Sequence, residues 1–313
     1  MYGHRARRPT QDALQLSQDS RARSREAKWS LRGKTILLLT LTLAAHAVAV
    51  RGVEEEAEPS KDDGPARQRM EIMRNAIGGF RVRSSQIESP SALKFRDEPV
   101  LRYNDQSRLG DNGAQALLDA TAWRLGEKGR PLALVTLEIY PFDGGTAVLT
   151  YEFVSLSPSS FEMKNTRGVT WMPASTELTM VALEDAPAPA ESPRSRLVQM
   201  RQLARRFTCQ EELQGEKIEC RLLAQPIDRY DDEAAGILDG AIFIFANGTN
   251  PEMGLVMECS DKGWSYGVFR LSSATLFAQL DGKSFDVPPK GPGYPANATY
   301  TATRHSIPLP AAP

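Results

Sequence analysis

Two glutamates could supply the carboxylates of a hydrolase. Glu138 and Glu258 lie on predicted strands at corresponding positions of two similar parts of the chain. A pair of carboxylates can act as general acid and general base, so a carboxylate-dependent hydrolase is one hypothesis. The alternative is that both side chains serve the fold, because a residue repeated in both parts is expected where the fold needs it. The hydrolase therefore requires one glutamate to open into a cleft beside a second carboxylate.

Two Arg-Tyr pairs are the candidate binding residues. Arg102-Tyr103 and Arg229-Tyr230 each place a guanidinium fork next to an aromatic ring, an arrangement that can recognise a ligand. The alternative is a structural role, in which each arginine pairs with a nearby carboxylate and each tyrosine packs its ring while its hydroxyl group bonds to backbone. The sequence leaves both interpretations open.

Neither predicted repeat contains a histidine. The three histidines are His4, His46 and His305, near the two ends of the chain. Their positions exclude Ser-His and Cys-His nucleophilic systems and most zinc sites from the predicted folded parts. The chain also has neither of the glycine-rich phosphate-binding patterns. We therefore predict no metal and no cofactor.

The three cysteines occupy positions where the other part of the chain has apolar residues. Cys209, Cys220 and Cys259 correspond to Val82, Leu93 and Ile139. This pattern favours small buried side chains over catalysis. Cys209 and Cys220 are also equally distant from Gln214-Gly215, the predicted turn of a hairpin. They are thus predicted to face each other, and a cross-strand disulfide is possible in an oxidising compartment.

An internal repeat organises the chain. The segment from Pro99 to Asp105 recurs 127 residues later, with Pro, Arg, Tyr and the final Asp identical. Leu118-Asp119 recurs 120 residues later as Leu238-Asp239. The change of spacing falls in a loop, which is where a folded unit tolerates a change of length.

The hydrophobic pattern of each repeat predicts a helix followed by strands. In each helix four apolar residues share one face, with spacings of three or four: Met70, Met73, Ile77 and Phe80, then Leu197, Met200, Ala204 and Phe207. We predict an α+β protein of two tandem repeats, each an N-terminal amphipathic helix packed on a mainly antiparallel sheet of about five strands. The predicted segments are repeat 1 (66–183), a Pro/Ala linker (184–193), repeat 2 (194–288) and a disordered tail (289–313).

The first fifty residues resemble a targeting signal. A basic stretch leads into the apolar run 35–50, and small residues follow for cleavage, so 1–49 is predicted to be a signal peptide. A membrane anchor formed by residues 35–50 is the alternative, although that run is short for a bilayer. An acidic disordered spacer is predicted at 50–65. Removing residues 1–47 would change the net charge from −1 to about −7, which makes nucleic acid an improbable partner.

The repeated residues also carry a resemblance. The pattern Pro-x-x-Arg-Tyr, then Leu-Asp-Gly-Ala, then Asn-Pro-Glu, here Pro226 to Tyr230, Leu238 to Ala241 and Asn250 to Glu252, resembles an uncharacterised two-repeat family of exported bacterial proteins. The first repeat departs from it, with Leu118-Asp119-Ala120-Thr121 as the second element. The resemblance covers roughly residues 66–288. It implies a bacterial exported protein and brings no activity with it.

These observations favour a binding protein. We expect an exported, non-enzymatic envelope or extracellular protein that binds a protein or a polysaccharide, through a sheet or through the cleft between the repeats. A membrane would be contacted only through an uncleaved N-terminal segment. The hydrolase using Glu138 or Glu258 is the alternative.

Overall fold

The computed structural model describes residues 63–105, 117–142, 145–173, 178–289 and 293–308. The predicted signal peptide or anchor and most of the predicted spacer lie outside these residues. The spacer's last residues are not disordered, because the first helix begins at Asp63. No helix within the described ranges has the length and apolar character needed to cross a bilayer.

The described residues are mostly β-strand, with two α-helices. The elements before the predicted linker are α1 (Asp63–Gly78), β1 (Phe80–Arg83), the 3₁₀ turn η1 (Pro90–Leu93), β2 (Leu101–Asp105), β3 (Leu117–Leu125), β4 (Ala133–Phe142), β5 (Thr146–Ser155), β6 (Glu162–Asn165), β7 (Thr170–Trp171) and β8 (Val181–Ala182). Those that follow are α2 (Pro193–Ala204), β9 (Phe207–Leu213), β10 (Glu216–Leu222), β11 (Asp228–Asp232), β12 (Ile237–Asn247), β13 (Asn250–Ser260), β14 (Gly263–Arg270), β15 (Thr275–Leu280), β16 (Lys283–Phe285) and β17 (Tyr300–Pro308).

The strands form three antiparallel sheets. One has five strands in the order β17-β5-β4-β3-β2. A large curled sheet has the order β16-β15-β9-β10-β12-β13-β14-β8, with β11 paired to β12 as its ninth strand. The third sheet has the order β1-β6-β7.

The predicted fold class, two repeats of a helix on a five-strand sheet, is therefore wrong. The strand after α1 leaves the main sheet and pairs with β6, whereas the strand after α2 belongs to the curled sheet. β8, from the predicted first repeat, pairs with β14 of the second. The tail was expected to be disordered, yet β17 covers the edge of β5 along nine residue pairs. An open strand edge can pair with a strand from a distant part of the chain. Such pairings are missed when each repeat is interpreted separately.

The two larger sheets pack face to face between the two helices. On β12, Ile242 and Ile244 face the core between the sheets, and Phe243 and Phe245 face the core under α2. The strand is therefore covered on both faces, which explains its continuous apolar run from Ile242 to Phe245. α1 packs on the outer face of the five-stranded sheet through the buried residues Met73 and Ile77, and α2 packs on the curled sheet through Met200, Leu203 and Ala204.

The predicted linker is tied to the second half. Trp264 donates a hydrogen bond from Nε1 to the Pro187 carbonyl at 2.9 Å, and Gln199 bonds to backbone atoms of Ala188 and Ala190. Ser192 ends the segment as the N-cap of α2, since its hydroxyl accepts from the Ser195 amide at 3.1 Å. Pro193 follows at the first position of the helix, where no amide donor is needed.

Candidate binding site

The arginines of the two Arg-Tyr pairs hold each helix against its sheet. Arg102 binds Asp119 with two hydrogen bonds of 2.9 and 2.6 Å, and Arg229 binds Asp239 with two of 2.8 and 2.6 Å. A second arginine reaches each aspartate from the helix: Arg69 from α1 and Arg196 from α2. The hydrogen bonds to the aspartates raise the pKa of Arg102 and of Arg229. These contacts support a structural role for both arginines, in which each pairs with a nearby carboxylate.

The tyrosines of the same pairs bind the two candidate glutamates. Tyr103 donates to Glu138 at 2.9 Å, and Tyr230 donates to Glu258 at 2.7 Å. The expectation that the hydroxyl groups bond to backbone is wrong. Burial and the adjacent carboxylate charge raise the pKa of both tyrosines well above the usual range, so both remain protonated donors.

The two glutamates differ in their second partner. Arg130, from the loop between β3 and β4, binds Glu258 with two hydrogen bonds of 2.7 and 2.6 Å. Glu138 accepts instead from Tyr140 at 2.7 Å. Both glutamates are buried, with 5% and 4% of their surface exposed. Neither opens directly into a cleft, so the hydrolase hypothesis lacks the geometry that it requires.

Glu138 does have a second carboxylate near it. Desolvation, followed by the charge of Glu138, raises the pKa of Glu152 well above the usual range. Tyr300 donates to Glu152 at 2.9 Å. Tyr140, which donates to Glu138, also lines an open cavity of about 600 Å³. Glu138 and Glu152 thus form an acidic pair whose carboxylates accept hydrogen bonds from tyrosines.

Charged pairs between the two halves were not predicted. Arg124 on β3 donates to Asp228 on β11 at 2.5 Å, and Arg96 reaches the other oxygen of Asp228 at 3.0 Å. Arg124 and Asp228 are both buried. Burial lowers the pKa of Arg124 and raises that of Asp228, and the attraction between the two opposes each shift. The pairing joins residues more than a hundred positions apart, and the sequence has no local signal for it.

Cys209 and Cys220 lie directly opposite each other on β9 and β10. Both are buried, and both thiols are free. The predicted hairpin is confirmed, because Gln214 and Gly215 form its turn with φ values of 55° and 84°. The first half has no such hairpin: Leu93 lies in the turn η1, so it does not correspond structurally to Cys220.

An open groove lies where the curled sheet fails to close on itself. Its walls are the terminal strands β8 and β16, and we call it the β8–β16 groove. The aromatic rings of Tyr266 (β14) and Phe285 (β16) lie 6.2 Å apart, and Tyr266 also contacts Phe207 of β9 at 4.9 Å. These contacts bring the two ends of the sheet together. Adjoining cavities of about 390 and 300 Å³ follow the groove.

The two ends of the groove differ in chemistry. The first cavity is lined mainly by apolar side chains: Val181, Tyr266, Val268, Phe285, Val287, Pro288 and Pro289. The second contains the Arg206–Asp281 ion pair, with a 2.6 Å contact, as well as Glu184, Asp185 and Lys283. Sequence patterns did not reveal this groove, because it depends on the curl of the whole sheet. The sequence does contain one signal, the mainly apolar run from Leu178 to Leu183 just before the predicted linker, which includes β8.

The described residues contain no group of three or more His, Cys, Asp or Glu side chains placed to hold a metal ion. Comparison of the chain with family models, with curated proteins and with solved structures gave no match.

Proposed function

We propose that this chain is an exported, non-enzymatic envelope or extracellular protein that binds an extended segment of a partner protein in the β8–β16 groove. The observation that carries the proposal is that the two terminal strands of the curled sheet line the same partly apolar groove. Within the described ranges, β8 and β16 each pair with a strand on one side only. Open edges can form backbone hydrogen bonds with an added strand, and neighbouring pockets can take its side chains.

The lining favours a polypeptide over a polysaccharide. Val181, Val268 and Val287 offer no hydrogen bonds to sugar hydroxyl groups, whereas apolar side chains of a peptide would be removed from water there. Polar residues of the same segment would contact the Arg206–Asp281 ion pair and the other charged side chains of the second cavity. The acidic net charge expected after export argues against nucleic acid.

Export rests on the order of basic and apolar residues before residue 50, with anchoring by residues 35–50 as the alternative. N-terminal sequencing of the protein expressed in a bacterial host would test it. We expect a start near Val48 or Val50 in material recovered outside the cytoplasm. Recovery of residues 1–34 on cytoplasmic protein would refute export.

The groove is tested by nuclear magnetic resonance with a capped peptide of alternating valine and threonine. We expect shifts of the amide signals of Val181, Ala182 and Ser284. Val181→Asp should weaken binding about tenfold or more, because a carboxylate in an apolar groove must lose its hydration.

Val198→Asp is the matched control. Val198 lies on α2 and is 47% exposed, against 46% for Val181, but it does not line the groove. Equal binding by both variants, or shifts that map elsewhere, would contradict the site. Shifts at the groove caused by a β-linked oligosaccharide, but not by the peptide, would favour a polysaccharide ligand.

A further inference from the structure

The register of the β9–β10 hairpin places two thiols side by side. Cys209 and Cys220 are direct partners, and the turn at Gln214 and Gly215 has the positive φ angles of the two-residue turns that match strand twist. Slippage by one residue would turn the alternating buried side chains of β9 outward, so the register is well determined. The cysteine pairing is therefore a stable feature of the hairpin.

The distance suits a covalent bond. Leu213 and Glu216, next to a two-residue turn, form a hydrogen-bonded pair, and alternation along the hairpin makes Cys209 and Cys220 the same kind of pair. Such pairs have Cα atoms about 5.5 Å apart, within the range of roughly 4.4–6.8 Å that disulfides span. Their Cβ atoms, about 5.5 Å apart, must approach to roughly 4 Å, so formation of the bond requires a local adjustment of the hairpin. Both side chains belong to the core under α2, so they point to the same face of the sheet.

The hairpin also carries one wall of the groove. β16 is connected to the rest of the curled sheet through β15, β9 and β10 in turn. β10 then pairs with β12 through Arg221 with Ala246 and Leu222 with Phe245, and the Leu223 amide donates to the Ile244 carbonyl just beyond them. These pairs follow Cys220 immediately. A bond between Cys209 and Cys220 would thus link β9 to β10 directly beside the contact of β10 with β12.

We propose that Cys209 and Cys220 form a disulfide that fastens β9 to β10 and steadies the β16 wall of the groove. The two thiols lose their hydrogens and two electrons to a small disulfide such as glutathione disulfide, which is reduced to two thiols. Because both cysteines are buried, the exchange occurs during folding or when the hairpin opens locally. The effect on ligand binding rests on the proposed function, whereas formation of the bond does not.

Cys259 provides an internal control. It lies on β13, where its direct partners are Asp239 of β12 and Trp264 of β14, so it faces neither of the other cysteines across a strand pair. One free thiol should remain after oxidation, and it should be Cys259.

The experiment refolds the full chain in a mixture of reduced glutathione and glutathione disulfide, then denatures it and alkylates free thiols. We expect one alkylated cysteine, a peptide map joining the Cys209 and Cys220 fragments, and a melting temperature about 5 °C above that of the reduced protein. Cys259→Ala should keep this difference, and Cys209→Val should abolish it. Three alkylated thiols in correctly refolded protein, or a bond that includes Cys259, would overturn the proposal.

The wall is tested separately with the valine–threonine peptide. We expect the oxidised protein to bind the peptide about fivefold more tightly than the reduced protein. The disulfide restricts the motion of β16 beforehand, so this strand loses less conformational entropy on binding. A disulfide with equal affinity in both states would refute the effect on the wall. If the peptide binds neither state, the proposed function fails, and the count of thiols still decides whether the bond forms.

Discussion

Removing the buried guanidinium of Arg124 should be among the most damaging single changes in this protein. The Arg124 side chain is fully buried, and besides its contact with Asp228 it donates to the Gly129 carbonyl at 2.7 Å. These bonds join β3 and the loop after it to β11, so they link the two halves of the molecule. Arg124→Met fills a similar volume but leaves the Asp228 carboxylate and the carbonyl without this donor.

The expected loss follows from the environment of Asp228. Breaking a buried ion pair by removing one partner costs about 3–5 kcal/mol. Arg96 still contacts Asp228 and is partly exposed, so we expect the lower end of this range, about 3 kcal/mol. Replacing both charges, as in Arg124→Met with Asp228→Leu, should recover most of the loss, because no buried charge then remains and Arg96 can turn to water.

Urea unfolding at neutral pH measures these free energies. Arg74→Met is the matched control, since Arg74 pairs with Glu98 on the surface, where an ion pair contributes at most about 1 kcal/mol. A loss for Arg124→Met no larger than that for Arg74→Met would refute the reasoning. So would a double variant as unstable as the sum of the two single variants, because the two charges would then not be coupled.

Two further predictions concern pH. The pKa of Glu152 is raised in the folded state. Its contribution to the free energy of unfolding is therefore fully present below about pH 4.5 and is lost as the pH rises through the folded-state pKa. Glu152→Gln should therefore be more stable than the natural protein in urea at pH 8, by about 1 kcal/mol or more, and a less stable variant would contradict this. Burial and the charge of Arg167 lower the pKa of His305 below 6.5, so its contribution is present above that pH and lost on acidification. His305→Gln, which can still accept from Arg167, should flatten the melting temperature between pH 7 and pH 5, whereas an unchanged slope would assign the effect to another group.

Local patterns predicted the local structure well. The spacing of apolar residues located α1 and α2, although the last residue assigned to each helix face, Phe80 or Phe207, begins the following strand. Alternation with a turn signal located β9, β10 and their register. Each of these features depends on residues close together in the chain. The hairpin could therefore be predicted down to the facing of Cys209 and Cys220, because a two-residue turn determines which residues meet.

Distant pairings could not be predicted in this way. The tail from Pro288 onward is rich in Pro, Gly and Ala, so its composition indicated disorder, yet Tyr300–Pro308 pairs with β5 because that edge offered a full row of partners. Pairing of Arg102 and Arg229 with nearby carboxylates was predicted, but Asp119 and Asp239 were not identified as the partners. The pairing of Asp228 with Arg124 depends on how the two large sheets pack, and the groove depends on the curl of one of them. Residue spacing within one repeat does not predict either.

The proposed binding site lies where the two halves differ most. Their Arg–Asp and Tyr–Glu contacts match, but the first half has the short turn η1 at the position where the second has β10. Without that strand, β1 pairs with β6 and the first sheet is extended by β17 instead. The second sheet gains β9, β10, β15 and β16, and the added strands curl until β16 faces β8 across an open gap. The Arg–Asp and Tyr–Glu contacts are thus shared by both halves, whereas the strands added to the second half form the β8–β16 groove in which we propose that a partner strand binds.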